Sequence, residues 1–356
     1  MSEVNTNPSN TAIRPVPIVQ KMDNDLTKCG VCEYRCEIAP GAVGVCRMRS
    51  NHNGTLYAHN YGLISRADLG LIESRNFYHF FPGAKIFSLG GYGLNFPMLN
   101  GQEAFAEIPT STNPRSLPID RISRFAIEHL CRGVIFAYSE PTIWYEYLVD
   151  ACKSVRANGL FTAIVTNGYI TPEALQPVGH YIDGLLVEVN AFSERTFNIL
   201  TNQSKYQKVL ETILRARLEY NAHIEISTNL VPGVNDEENE IKALASWIKQ
   251  ELGENTAWHL FCAVPHSDNV LREVKQTAED MGLNYIYAHG MSPVTEIDES
   301  AAALFDCTVN GNTYCYKCRK IVVNRRDGEI TTFGLDNNKC AHCGTVLGIR
   351  NTLWKL

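Results

Sequence analysis

No apolar run in the chain reaches the length of a membrane span, and the first residues lack the apolar core of a secretory leader. Basic residues are not in excess either: 32 Lys and Arg face 38 Asp and Glu, for a formal net charge of -6. That balance leaves no electrostatic footprint for phosphate backbones, so neither nucleic acid nor a membrane is an expected partner. A soluble, cytoplasmic protein acting on a small molecule is the expectation. The 12 cysteines in 356 residues are too sparse for a disulfide scaffold. Eight of them fall into two local clusters, which points to metal. Of the scattered four, Cys131, Cys152 and Cys307 read as small buried apolar residues. Cys262 ends an apolar run and could serve as a nucleophile, although a buried core thiol is the favoured reading.

The first cluster is Cys29, Cys32, Cys36 and Cys46, spaced C-x2-C-x3-C-x9-C. A C-x2-C turn lets two thiolates reach one ion, and two more nearby complete a tetrahedral set. Zinc and an iron–sulfur cluster both suit these ligands. The second cluster is Cys315-x2-Cys318 and Cys340-x2-Cys343, joined by a segment with the look of a β-hairpin turning at Asp327-Gly328. A structural zinc with a closed shell of four thiolates is expected there. His342 is redundant as a ligand, and Lys317, Arg319, Lys320, Arg325 and Arg326 read as a solvated basic face.

Between the clusters the pattern is regular. Apolar runs at Ile86–Leu89, Gly133–Tyr138, Phe161–Val165, Gly184–Val189, Ile224–Leu230 and Trp258–Val264 read as buried parallel strands. Amphipathic helices are expected around 119–131, 142–157, 172–180, 205–220, 236–252 and 268–281, with a last strand at 284–288. Strand–helix alternation six times over predicts a parallel sheet with right-handed crossovers, either doubly wound or closed into a full or partial barrel. Six similar units without a break favour the partial barrel. In either case chemistry belongs at the carboxyl ends of the strands. Those ends carry Asn95, Ser139-Glu140, Thr166-Asn167, Glu188 with Asn190, Asn229, and His259, Cys262 and His266. One polar strand end is often a helix cap; six together favour a ligand site.

The ordered set of NFYHFFPGAKIFSLGGYG, AYSEPTIWYEY, VTNGY, NLVPGVND, AWHL and the two cysteine clusters resembles the radical SAM proteins of the AmmeMemoRadiSam group, relatives of pyruvate formate-lyase activating enzymes. The resemblance runs from about Cys29 to Gly348. It implies a radical-SAM-type partial (β/α)6 barrel holding S-adenosylmethionine (SAM) and a four-iron–four-sulfur cluster. The family's cluster loop reads G-C-N-F-x-C-x-x-C-Q-N, and Gly93 to Glu103 keep its frame with Leu94, Met98 and Gly101 at the cysteine positions. Leucine and glycine cannot ligate iron, and a thioether is a poor substitute. Glu188-Val189-Asn190 replaces a D-L-K-type motif, and Phe261-Cys262-Ala263 an S-R-F-type one, so a lysine and an arginine are lost as well. By the same resemblance Glu140 meets the SAM amino group, Thr166 and Asn167 its methionine or ribose portion, and Leu230–Asp236 the adenine.

Four segments are expected: a flexible arm over 1–25, a Cys-rich metal segment over 26–80, the SAM-type barrel over 81–305 and a zinc ribbon over 306–356. The resemblance implies a cluster-less descendant using SAM in polar chemistry, group transfer or intramolecular displacement or elimination. Asn95, Glu140, Thr166, Asn167, Asn190 and Asn229 would hold the cofactor, with Glu188, His259 and His266 as acid–base groups. A non-catalytic adaptor is the first alternative. Radical chemistry with iron–sulfur on Cys29, Cys32, Cys36 and Cys46 is the second.

Overall fold

A computed structural model describes residues 12–97, 103–109, 114–262, 268–290, 311–326 and 329–353. Met98, Gly101, His266, Cys307 and the Asp327-Gly328 turn lie outside them. The chain divides into two compact units. One is drawn from Met1–Gly70, Lys85–Asp183 and Lys208–Ala216, the other from Leu71–Ala84, Gly184–Gln207 and Arg217–Leu356.

The first unit holds three parallel strands, β1 (Lys85–Gly90), β2 (Gly133–Phe136) and β3 (Phe161–Thr166). Register pairs Gly133 with both Ile86 and Phe161, so β2 lies between the other two. All four residues of β2 are buried, as expected for a parallel strand covered on both faces. A Cβ on Gly133 would fall 2.1 Å from the Phe161 ring, so this strand can begin only with glycine. The chain leaves β2 two residues before the sequence pattern ends, because Tyr138 takes a left-handed φ of 72°. Three helices cover the strands: α1 (Ile119–Glu128), α2 (Tyr145–Ala157) and α3 (Pro172–Gly179). Thr171 caps α3 by accepting from the Ala174 N–H, with Pro172 at the first helical position.

The second unit repeats the pattern. Its strands are β4 (Gly184–Glu188), β5 (His223–Leu230), β6 (Trp258–Cys262) and β7 (Ile286–Ala288), parallel and adjacent in that order. Helix α4 (Glu194–Thr201) is absent from the sequence expectation; its signal is the Ser193 cap, which accepts from the Thr196 N–H at 3.1 Å. Helix α5 (Gln207–Leu218) falls mostly in the first unit, and α6 (Glu238–Trp247) and α7 (Asp268–Asp280) in the second; all three follow the predicted order. In the tail, Ile321–Arg326 and Glu329–Thr331 pair antiparallel, with Arg325 opposite Ile330.

The stretch 1–25, read as an arm, carries strands at Arg14–Pro15 and Val19–Lys21. Each pairs with a later strand, Arg14 with Ala58 and Val19 with Cys29, and those backbone bonds order its described part, residues 12–25.

Candidate functional site

In the first unit, the ends of β1, β2 and β3 converge on the Glu140 carboxylate. Glu140 is 4% exposed. It accepts from the Thr142 N–H at 3.0 Å, the Thr166 hydroxyl at 2.7 Å and the Asn167 N–H at 2.9 Å. Burial raises its pKa, and these donors only partly oppose the shift. Among the described residues, no lysine, arginine or histidine stands among its bonding partners. The Thr142 side chain is a further hydrogen-bonding partner of the carboxylate. Asn95 joins the group through its Oδ1, which accepts from Asn167 Nδ2 at 2.7 Å. Asn95 is 3% exposed, and its own Nδ2 has no partner; the Ser139 hydroxyl is buried and unpartnered as well. Burying such donors unpaired costs about 1–3 kcal/mol each, which a ligand's oxygens would recover. Beside them, Phe96 and Tyr169 pack at 5.0 Å and Tyr34 stands edge-on to Tyr169 at 6.1 Å. Gly93 shapes the turn after β1. Its φ is 110°, and a Cβ there would fall 2.4 Å from Ile143.

The first cysteine loop packs next to this group. The Glu33 N–H donates to Tyr169 O, the Thr171 N–H donates to Val31 O, and Cys32 bridges to Ile170. Its thiols surround a guanidinium. Arg49, 1% exposed, pairs with Glu146 at 3.1 Å and lies 3.9 Å from the Cys46 sulfur. Cys32 and Cys46 share an apolar cluster with Met48, Leu63, Tyr92 and Ile143. Burial raises the Cys29 thiol, with Arg49 opposing.

In the second unit, the asparagines expected at the strand ends form a closed set. Asn190 Oδ1 accepts from the Asn229 N–H at 2.8 Å, and Asn235 Nδ2 donates to the carbonyls of both Asn190 and Asn229 at 2.9 Å. Glu188 ends β4 half-buried. His259 departs from expectation: it is fully buried and cannot meet a ligand itself. It is held instead by Glu225 at 2.8 Å and His289 at 3.0 Å. Neither partner stood out in the sequence, because Glu225 sits mid-strand and His289 lies in no motif. Glu225 is buried along with Ile224 and Ile226 on either side of it, so alternation along β5 gives no signal for its place. Cys262 is half-buried at the end of β6.

The tail brings Cys315, Cys318, Cys340 and Cys343 together, all sulfurs within 4.8 Å of one another. Cys315 and Cys343 are 3.6 Å apart, Cys318 and Cys340 3.7 Å. Tetrahedral coordination at about 2.3 Å per bond sets sulfurs roughly 3.8 Å apart, so these residues fit a four-thiolate metal ion. A hydrogen bond with Thr345 pulls the Cys343 thiol down to about 6. Among the described residues no second set of three or more His, Cys, Asp or Glu gathers its ligand atoms this closely. Arg325 leaves the expected basic face: it is buried, bonded to Glu73 at 3.2 Å, Gly311 O and Thr313, and lies 4.3 Å over the Tyr78 ring. No helix among the described residues is long and apolar enough to cross a membrane.

These arrangements can be set beside known proteins. An uncharacterized protein of Methanocaldococcus jannaschii is 27% identical over 350 residues, 95% of this chain and 99% of that protein. The choline trimethylamine-lyase activating enzyme of Oleidesulfovibrio alaskensis is 26% identical over 117 residues, 33% of this chain and 37% of the enzyme. A solved domain of pyruvate-formate lyase-activating enzyme from Bacteroides vulgatus aligns with 44% of this chain and 99% of its own, at 23% identity and a TM-score of 0.38. Residues 101–245 match the pattern that defines the Radical SAM superfamily, a span that includes β2 to β5 with Glu140, Thr166 and Asn167. Over that span the chain is similar to the Radical SAM superfamily.

Proposed function

We propose that the ends of β1, β2 and β3 bind the amino-acid part of SAM, and that the protein uses SAM in polar chemistry. The observation that carries this reading is the buried Glu140 carboxylate, which has no cation among the described residues, beside the Asn95 donor, which has no partner among them. An ammonium would supply the missing positive charge at Glu140. Asn95 Nδ2 and the Ser139 hydroxyl would donate to the neighbouring carboxylate. Bound there, SAM supplies an electrophilic sulfonium that needs no iron. Thr166 and Asn167 hold Glu140 in place, and Tyr34, Phe96 and Tyr169 limit water around the group. Leu94 and the absence of any cysteine between Cys46 and Cys131 argue against a cluster on the loop after β1. Group transfer and displacement or elimination on a small molecule both fit this arrangement. The metal proposed for the tail is zinc, folding the ribbon and taking no part in the reaction.

A second reading keeps radical chemistry, with iron–sulfur on Cys29, Cys32, Cys36 and Cys46. It draws on the packing of their loop beside Tyr169 and Ile170.

The test is metal analysis and an absorption spectrum on anaerobically purified protein, followed by calorimetric SAM titration of the same sample. One zinc per chain, no iron absorbance and SAM binding weakened about tenfold or more by Glu140→Gln are the expected results. Iron with a charge-transfer band would favour the second reading. Zinc without SAM binding would leave a non-catalytic adaptor.

A further inference from the structure

The Glu225 carboxylate is the most heavily bonded acid in the second unit, and nothing above uses it. It is 0% exposed. Oε1 accepts from the His79 N–H at 2.9 Å and lies 3.2 Å from His223 Nε2; Oε2 accepts from the Tyr78 N–H at 2.9 Å and from His259 at 2.8 Å. Burial alone would raise its pKa, yet the hydrogen bonds and charges of His223 and His259 carry it well below the ordinary carboxylate value.

An ionised carboxylate only accepts, so the hydrogen on this side of the His259 ring sits on Nε2. In neutral His259, Nδ1 must then accept, and the donor 3.0 Å away is His289 Nε2. That fixes the second tautomer: His289 Nδ1 carries a lone pair, and it has no hydrogen-bond partner among the described residues. The ring is held flat against Phe261, with centroids 4.3 Å apart and planes 7° apart, and edge-on to Tyr78 at 5.4 Å. His289 is partly exposed, while His259 and Glu225 are not.

We propose that Glu225, His259 and His289 form a proton relay, in which His289 is the acid–base residue for a substrate carrying an acidic O–H, N–H or C–H group. When a substrate proton bonds to His289 Nδ1, the proton on His289 Nε2 passes to His259 Nδ1. The substrate is left as the conjugate base, His289 is again neutral with its hydrogen on Nδ1, and the positive charge rests on His259 beside Glu225. Reversal returns the proton. His259 and Glu225 are positioning residues, since neither reaches the surface. Other charged or titratable groups around the relay are His79, His223, Tyr78, Tyr287, Arg325 and Glu73. Burial, then the charges of His259 and Arg325, lowers His289 to about 3, which suits a ring that passes charge inward and does not store it. The relay lies within the second unit and does not depend on SAM binding in the first.

The test is nitrogen-15 NMR of histidine-labelled full-length protein, titrated from about pH 8 to about pH 5. At the upper end His289 is expected with its hydrogen on Nε2. On acidification His259 becomes the imidazolium while His289 changes to the Nδ1–H tautomer. A His289 that itself becomes the imidazolium, with His259 unchanged, would overturn the relay. So would a hydrogen already on Nδ1 at the upper end. In Glu225→Gln, whose amide can donate as well as accept, the fixed tautomers should be lost and both rings should show mixed Nδ1–H and Nε2–H forms. His289→Gln changes a partly exposed side chain and keeps the test open if Glu225→Gln does not fold. It should slow solvent exchange of the His259 ring proton about tenfold or more, and exchange at the wild-type rate would sink the proposal.

Discussion

The chain has two sets of four cysteines, and they are built in opposite ways. The tail set closes on itself, with sulfurs 3.6 and 3.7 Å apart, around a small core of Val322, Val323, Leu347 and Ile349. The first set spreads around Arg49, whose charge is already answered by Glu146. A small core needs a further source of stability, and a metal ion held by the four thiolates would supply it. The first set has an apolar surround of its own, with Met48, Leu63, Tyr92 and Ile143, and a buried ion pair in addition. Equal counts of thiols therefore do not imply equal roles. What decides is whether anything besides metal can hold the segment together.

The comparison breaks most readily at the tail. Cys315→Ser, or a strong chelator, should unfold the ribbon, since structural zinc in small domains contributes about 10 kcal/mol or more. Limited proteolysis with metal analysis reads this out; a metal-free ribbon still resistant to protease would contradict it. Arg49→Leu comes next, at about 3–5 kcal/mol in urea denaturation, because Glu146 is left as an unpaired buried charge. Adding Glu146→Leu should recover most of the loss, and no recovery would mean that the guanidinium serves the thiols instead. Cys29→Ser should cost only about 1–2 kcal/mol, the burial of a hydroxyl, with metal content unchanged. Loss of an ion in that variant would make the two sets alike after all.

The smallest effect sharpens the contrast between a buried carboxylate with a cation and one without. The Glu140 pKa in the folded chain lies above its unfolded value, so the native state binds more protons in the window between them. Stability should therefore fall as pH rises from about 4.5 through the raised value, and Glu140→Gln should flatten that slope. Urea midpoints across this range measure it. An unchanged slope in the variant would mean that Glu140 is compensated in the free protein.

The strand–helix order was legible because parallel strands buried on both faces read as short apolar runs, and β1 to β7 fall where those runs lie. Glu140, Thr166 and Asn167 were legible as a group because strand ends are predictable and their carboxyl ends face one way. His259 was legible as a residue but not in its role, since burial depends on neighbours far along the chain. Arg325 misled for the same reason. A basic run reads as a solvated face, yet one of its members turns inward to meet Glu73. Glu225 and His289 were not legible as partners, since 64 residues and two strands separate them in the sequence.

The Arg325–Glu73 pair also bears on the order in which the chain acquires its structure. The two residues are 252 positions apart. Glu73 leaves the ribosome long before its cation exists, and burial disfavours its charged form. The segment that holds Glu73 is therefore expected to stay open to water, or to be held in a provisional state, until Arg325 has been synthesised. Fragments ending before Arg325 should emerge with that acid uncovered, which would make synthesis of the strand that carries Arg325 the step that closes over it.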